Sequence, residues 1–239
     1  MNTAPNLDGR VFAIAGAGGG LGPSVVKRLA TAGAVVCVSD VAAERVEPLG
    51  SELGPGSDRF DARAVDLLDE SAARDWRAQI EDRFGRVDAL LHLVGGWRGG
   101  VALAEAPLSD YEWLHDLLVR TVQHTTAAFL PALRAAGTRA RFVLVSSAAA
   151  QRPSARGAPY AAAKAAAEAW TLALADDLAA TGGTANILVV REIGPERGDP
   201  ASGEPSPTAT PADDLAQALA WLVGPAAGRM NGQRLALHG

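Results

Sequence analysis

The chain has 239 residues, 48% of them apolar, and a formal net charge of −5. That length and apolar content suit one large α/β domain with a sizeable core, and the negative charge argues against nucleic acid or an anionic membrane as partner. The lone Cys37 cannot form an internal disulfide, the four histidines lack metal-ligand spacing, and neither a signal segment nor a membrane-spanning run stands out, so a cytoplasmic protein without a metal is expected.

Short apolar runs alternate with helical patterns along the chain. Residues 11–15 read as a strand, followed by a Gly-rich turn and a helix over 21–32. Strands are predicted at 35–39, 63–65 and 89–94, with a helix over 71–84 between the last two. A long helix is expected over 110–136, with Pro131 as a candidate kink, and then a strand at 141–145. An Ala-rich helix over 160–180 precedes a strand at 186–190, and a helix over 212–223 leads to a last strand at 235–237. This alternation predicts a single doubly wound parallel sheet of about seven strands, with helices on both faces. Binding sites in such sheets lie beyond the carboxyl ends of the strands. Residues 191–211 show neither helical nor strand period and are rich in Gly, Pro, Ser and Thr. They read either as a mobile lid over a substrate or as an insertion without a role.

The turn after the first strand is Gly16-Ala17-Gly18-Gly19-Gly20-Leu21-Gly22. Glycines there permit a tight turn and a close approach to a pyrophosphate, which the helix N-terminus then faces with free N–H groups. Gly16, Gly18, Gly20, Leu21 and Gly22 are the candidate phosphate-cradle residues; the alternative is a merely flexible loop. Asp40 closes the second strand, where an acid accepts hydrogen bonds from ribose hydroxyls and repels a 2′-phosphate. With Val41 next and no basic residue in the turn, NAD is favoured over NADP. Asp40 also reads as a helix N-cap. Asp66 and Leu67 follow the third strand, where Asp66 reads as an adenine contact or as a cap.

Tyr160 and Lys164 stand four residues apart in a run of alanines, so they share one helix face. A phenol titrates near ~10, and a nearby cation pulls that value toward the working range. By itself this spacing is equally compatible with a packing Tyr and a surface Lys.

Taken together these residues resemble the short-chain dehydrogenase/reductase family over nearly the whole chain. Gly16, Gly20 and Gly22 match its T-G-x-x-x-G-x-G, with Ala15 in place of the Thr, and Asp40 and Asp66 match its ribose and adenine acids. Ser147 stands thirteen residues before Tyr160, the family's spacing for its catalytic Ser, and Asn231 to Leu235 resemble its last strand. The resemblance implies a hydride-transfer enzyme for a small alcohol or ketone, with Tyr160 as general acid/base. Lys164 would lower the Tyr pKa and hold the nicotinamide ribose, and Ser147 would orient the substrate oxygen. It also implies a homodimer or homotetramer, for which the Ala-dense helix after Tyr160 offers a close-packing face.

Three positions depart from the pattern. The family's N-N-A-G reads His92-Leu93-Val94-Gly95, leaving only Gly95 for backbone contact with the cofactor. Its helix Asn falls on Leu118, and its P-G falls on Val190-Arg191. Arg191 reads as an anion contact or as a solvated side chain. His92 reads as a packed, hydrogen-bonded histidine, with a catalytic role the alternative. These losses keep open a non-redox lyase or isomerase on the same scaffold, or a cofactor-binding protein with little activity. Substrate contacts are expected from residues 96–108, 148–159 and 191–211. Trp97, Val101 and Leu103 suggest an apolar compound, whereas Arg98, Arg152 and Arg156 suggest an acid.

Overall fold

The computed structural model describes residues 5–53, 58–195 and 206–237. Seven parallel strands form one sheet in the order β3-β2-β1-β4-β5-β6-β9. They are β1 (Val11–Ala15), β2 (Val35–Asp40), β3 (Phe60–Ala64), β4 (Ala89–His92), β5 (Arg141–Ser147), β6 (Thr184–Val190) and β9 (Arg234–Ala236). The central strands are buried along their whole length, as expected for a sheet covered on both faces. Helices α1 (Gly22–Thr31) and α7 (Ala212–Val223) cover one face, where Val25, Leu29, Leu215 and Leu219 pack on Phe12, Ile14 and Leu188. Helices α3 (Glu70–Phe84), α5 (Thr121–Ala136) and α6 (Ala158–Ala179) cover the other. Trp76 and Phe129 meet edge-to-face there at 5.0 Å between ring centres, a favourable aromatic geometry.

Helix boundaries follow local chemistry. Asp69 caps α3 by accepting from the Ser71 and Ala72 amides, and Gly85 ends it with φ 78°. The predicted 63–65 strand runs instead over Phe60–Ala64. Two charged residues hid it: Asp61 is buried on this edge strand and takes ion pairs from Arg63 and Arg83. The predicted long helix over 110–136 runs unbroken from Leu108 to Ala136, but with a π-helical turn over Asp116–Arg120 between α4 (Leu108–His115) and α5. Pro131 lies within α5 and does not end it. Residues 191–211 are not without strands either. Glu192–Gly194 (β7) pairs in parallel with Ala209–Pro211 (β8), which anchors both flanks of the expected lid. Its residues 196–205 lie outside the described residues. Among the described residues, no helix is long and apolar enough to cross a membrane.

The sheet order places β1 beside β4, with the chain leaving each toward opposite sides. That is the switch point where a crevice opens at the carboxyl edge.

Candidate active site

A cavity of about 490 Å³ occupies this crevice. Gly16, Gly20, Leu21, Asp40, Asp66, Leu67, Gly95, Tyr160 and Lys164 all line it. The fold thus brings nine of the predicted residues, from five separate stretches of chain, to one wall.

At one end lies the glycine turn. Gly16 has φ +77°, and a Cβ there would stand 2.7 Å from the Val94 amide nitrogen. A Cβ on Gly22 would fall 1.7 Å from the Ala17 carbonyl oxygen, so this glycine is required for the turn to close. Gly20 differs: nothing lies within 4 Å of its would-be Cβ, so its backbone faces the open cavity. The N-terminus of α1 has no side-chain cap; Pro23 brings no N–H and the Gly22 amide donates to the Gly19 carbonyl at 3.0 Å, so what this end offers an anionic group is the positive end of the helix dipole. This cradle fits a pyrophosphate.

Gly18 and Gly22 stand behind the wall and shape it. The Gly18 amide donates to Asp40 Oδ2 at 3.1 Å, fixing the carboxylate. Asp40 Oδ1 lies 3.8 Å from an Arg45 guanidinium nitrogen, and Arg45 also lines the cavity. Asp66 Oδ1 accepts from the Leu68 amide at 2.9 Å, and the Leu67 carbonyl contacts His124 Nδ1 at 3.0 Å. Asp69, not Asp66, is the helix cap.

At the other end, α6 presents Tyr160, Lys164 and Glu168 one turn apart. Tyr160 is partly buried beside the Ser147 hydroxyl, which acts to lower the phenol's pKa. Ser147 Oγ also accepts from the Ala149 amide at 3.2 Å. Lys164 is buried, and its ammonium donates to the Val145 carbonyl at 3.0 Å. Burial lowers Lys164 to about 8, against a smaller raising effect of Glu168. The same burial pushes the Tyr160 phenol above its ordinary value, and the Ser147 hydroxyl only partly offsets it. In this pocket Lys164 is therefore not what sets the phenol, contrary to the expectation: its ammonium stands 5.9 Å from the centre of the Tyr160 ring and is directed at β5.

The model for short chain dehydrogenases matches residues 10–195 of the chain. The 2,3-dihydro-2,3-dihydroxybenzoate dehydrogenase of Bacillus subtilis is 30% identical over 77% of this chain and 70% of its own. A blue fluorescent protein from a metagenomic library, solved with NADPH, superimposes with a TM-score of 0.83 at 31% identity and 98% coverage of both chains. The 3-ketoacyl-(acyl-carrier-protein) reductase of Brucella melitensis, solved with NADH, gives 0.83 at 26% identity and 98% coverage of both. The chain belongs to the short-chain dehydrogenase/reductase family.

As a member of that family, an oxidoreductase family of alcohols and ketones, it carries unusual residues around Lys164. Leu118 sits in the π-helical turn and is buried with Leu114, Val119 and Ala163, packed against Tyr160. His92 is fully buried, and among the described residues neither ring nitrogen makes a hydrogen bond of normal geometry, the Thr121 backbone lying only near enough to favour its proton; the expected hydrogen bond is therefore missing. Burial lowers its pKa to about 3; the Lys164 charge adds to this and the Thr121 backbone opposes it, so the ring is neutral. Cys37 is buried and burial pushes its thiol up, as fits a core residue.

Two features escaped the sequence reading, Arg45 and Glu168. Arg45 reaches the cavity beside Asp40, whereas Ile193, which reaches it from β7, falls in the 191–211 segment expected to contact substrate. Glu168 is buried and accepts from Ser146 Oγ at 2.6 Å, Gln151 Nε2 at 2.7 Å and Arg234 Nε at 2.6 Å. These partners come from two segments far from Glu168 in the chain, Ser146 and Gln151 around the end of β5 and Arg234 on β9, so no spacing announced them; an acid eight residues past Tyr160 was the available signal. Among the described residues, no group of three or more His, Cys, Asp or Glu could hold a metal ion.

Proposed function

We propose that the protein transfers a hydride between a nicotinamide dinucleotide and the alcohol or ketone carbon of a small molecule, with Tyr160 as general acid/base. The observation that carries this reading is one continuous cavity with a glycine cradle and Asp40 at one end and Tyr160 and Lys164 at the other. Gly16, Gly18, Gly20, Leu21 and Gly22 form the phosphate cradle, while Asp40 accepts from the adenosine ribose. Asp66, Leu67 and Gly95 border the adenine and the inner ribose. The bound dinucleotide supplies or accepts the hydride.

In reduction, the Tyr160 hydroxyl donates its proton to the carbonyl oxygen as the carbon gains hydride. In oxidation, the alcohol proton passes to the phenolate as the carbon loses hydride. Ser147 donates to the same oxygen and holds it against Tyr160. Lys164, anchored to the Val145 carbonyl through one of its three N–H donors, offers the others to the nicotinamide ribose.

We read NAD as the preferred cofactor. Asp40 is fixed by the Gly18 amide and lines the cavity, where an acidic side chain opposes a 2′-phosphate. Arg45 is largely exposed and is held to Asp40 only at 3.8 Å, so it tempers the preference without reversing it. The related structures solved with NADPH and NADH support a nicotinamide cofactor of either kind. The flanks of residues 191–211 support a substrate-bordering segment, since Ile193 lines the cavity.

The deciding experiment is turnover of a carbonyl and alcohol panel with NAD(H), following cofactor and substrate together. One cofactor oxidised or reduced per substrate converted is expected, with loss of turnover in Tyr160→Phe. Substrate conversion with a dinucleotide that never changes redox state overturns the reading in favour of a lyase or isomerase.

We also propose self-association through α5 and α6, where Trp170 remains 41% exposed while its indole N–H bonds Thr126 on the neighbouring helix. Sedimentation is expected to give a dimer or tetramer; a clean monomer rejects it.

A further inference from the structure

We infer that the substrate is an uncharged, flat and largely apolar alcohol or ketone, aromatic or polycyclic, seated against the Trp97 indole. This rests on the oxidoreductase reading above and narrows it to a substrate class.

Beyond Tyr160, the cavity wall is Trp97, Leu117, Val190 and Ile193, with the backbone of Gly95 and Gly96. Trp97 and Ile193 are nonetheless 61% and 42% exposed. Large apolar side chains left open to water inside a crevice mark a surface that an apolar ligand covers.

Trp97 is carried on a braced loop. The Gly100 amide donates to the Arg156 carbonyl at 2.8 Å, and the Arg156 guanidinium donates back to the Gly100 carbonyl at 2.7 Å. At the other end of the indole, Gly96 lies against Leu117 and Trp113, where a Cβ would come within 2.5 and 3.0 Å. The loop after β4 is thus bracketed to the segment before α6. A pre-placed indole offers a planar face without an ordering cost at binding.

Of the cations expected to meet an acid, Arg98 pairs with Asp110 at 3.4 Å and stacks 4.1 Å above Trp113, and Arg156 donates to the Gly100 carbonyl; Arg152 and Arg191 are exposed and do not line the cavity. Among the described residues lining the cavity, the cations are Arg45 and Lys164. Arg45 stands beside Asp40 at the far end, and Lys164 lies behind Tyr160 on the Val145 carbonyl. A carboxylate or phosphate on the substrate would find at this end no cation that is not already bonded, and so would gain no ion pair to offset the water it gives up against the Trp97 face. Of the hydroxyls that line this end, Ser146 donates to Glu168 at 2.6 Å and Thr121 to the Leu117 carbonyl at 2.6 Å, which leaves the Tyr160 hydroxyl, with Ser147 buried just behind the lining, to serve one oxygen. One oxygen on an apolar plane matches this inventory.

The test uses the intact enzyme with NADH and three ketones: a naphthyl methyl ketone, the same ketone bearing a ring carboxylate, and butanone. The neutral aryl ketone is expected to have a kcat/KM at least about tenfold above each of the others, in the range that pocket contacts supply. Trp97→Ala is expected to narrow the aryl-over-aliphatic ratio about tenfold through KM, and Trp97→Phe to restore most of it. A carboxylate or small ketone turned over as well as the aryl ketone, or an aryl preference untouched by Trp97→Ala, overturns the inference while the oxidoreductase reading stands. Calorimetry separates the remaining case. Aryl ketone that binds through Trp97 but is never reduced upholds the pocket assignment and sinks hydride transfer; no binding and no turnover sinks both.

Discussion

Lys164 stands one helical turn beyond Tyr160, yet its ammonium points past the phenol to the Val145 carbonyl, 3.0 Å away on β5. The pair is aligned by the helix but not directly coupled, and burial holds the phenol protonated. The two residues therefore fail differently when changed. Tyr160→Phe should lower kcat by roughly 10²–10⁴, the worth of a positioned acid/base, with cofactor affinity little changed. Lys164→Met should lose both turnover and cofactor affinity. In the native protein, affinity should also fall as pH rises past about 8, where Lys164 loses its proton; that alkaline limb should be absent from Lys164→Met. Steady-state kinetics and cofactor titration read both.

Asp40 and Arg45 face the same end of the cavity with opposite charge. Asp40→Ser removes the anion, frees the Gly18 amide and leaves Arg45 unopposed. NAD affinity should fall and NADP affinity rise, shifting their ratio by roughly tenfold or more, the scale of a charged hydrogen bond. Paired Kd measurements decide it; an unchanged ratio removes Asp40 from cofactor choice.

The glycines of the turn separate by what a methyl group would meet. Gly22→Ala would drive a Cβ into the Ala17 carbonyl and should destabilise the fold by several degrees in Tm. Gly20→Ala meets no protein atom within 4 Å and should fold normally. Its methyl would project where the phosphate cradle is proposed, so dinucleotide affinity should drop about tenfold or more. Thermal melts with and without cofactor distinguish the two.

His92 carries a pH signature of its own. Its folded pKa is about 3 against an ordinary 6.5, so below 6.5 the unfolded chain binds a proton that the folded chain refuses. Stability should then decline as pH falls from 6.5 toward about 3, with a slope approaching ~1.4 kcal/mol per pH unit. His92→Leu should flatten this limb relative to the native chain in denaturant titrations across that range. Parallel acid limbs would show that the imidazole finds a proton partner within the fold.

The strands, the switch-point crevice and most of the cradle were legible in the sequence because local rules control them. Apolar runs wherever both sheet faces are covered, glycines at a strand-to-helix turn, and a four-residue spacing on a helix all leave marks on neighbouring positions. β3 was misplaced because its buried Asp61 is neutralised by Arg83, which lies 22 residues away. The π-helical turn at Asp116–Arg120 and the flanking strands β7 and β8 were missed because their stability comes from packing and pairing rather than from periodicity.

The sequence by itself determined the family, the parallel sheet and nine of the residues that line the cavity between Gly16 and Lys164, since these depend on residue type and order. Only the tertiary structure decided where charges are spent. It set Arg45 against Asp40, tied Arg98 to Asp110, buried Glu168 among Ser146, Gln151 and Arg234, and left the His92 ring without a hydrogen bond among the described residues. Burial and electrostatic pairing join residues far apart in the chain, and both act through distance in space, which the order of residues does not specify.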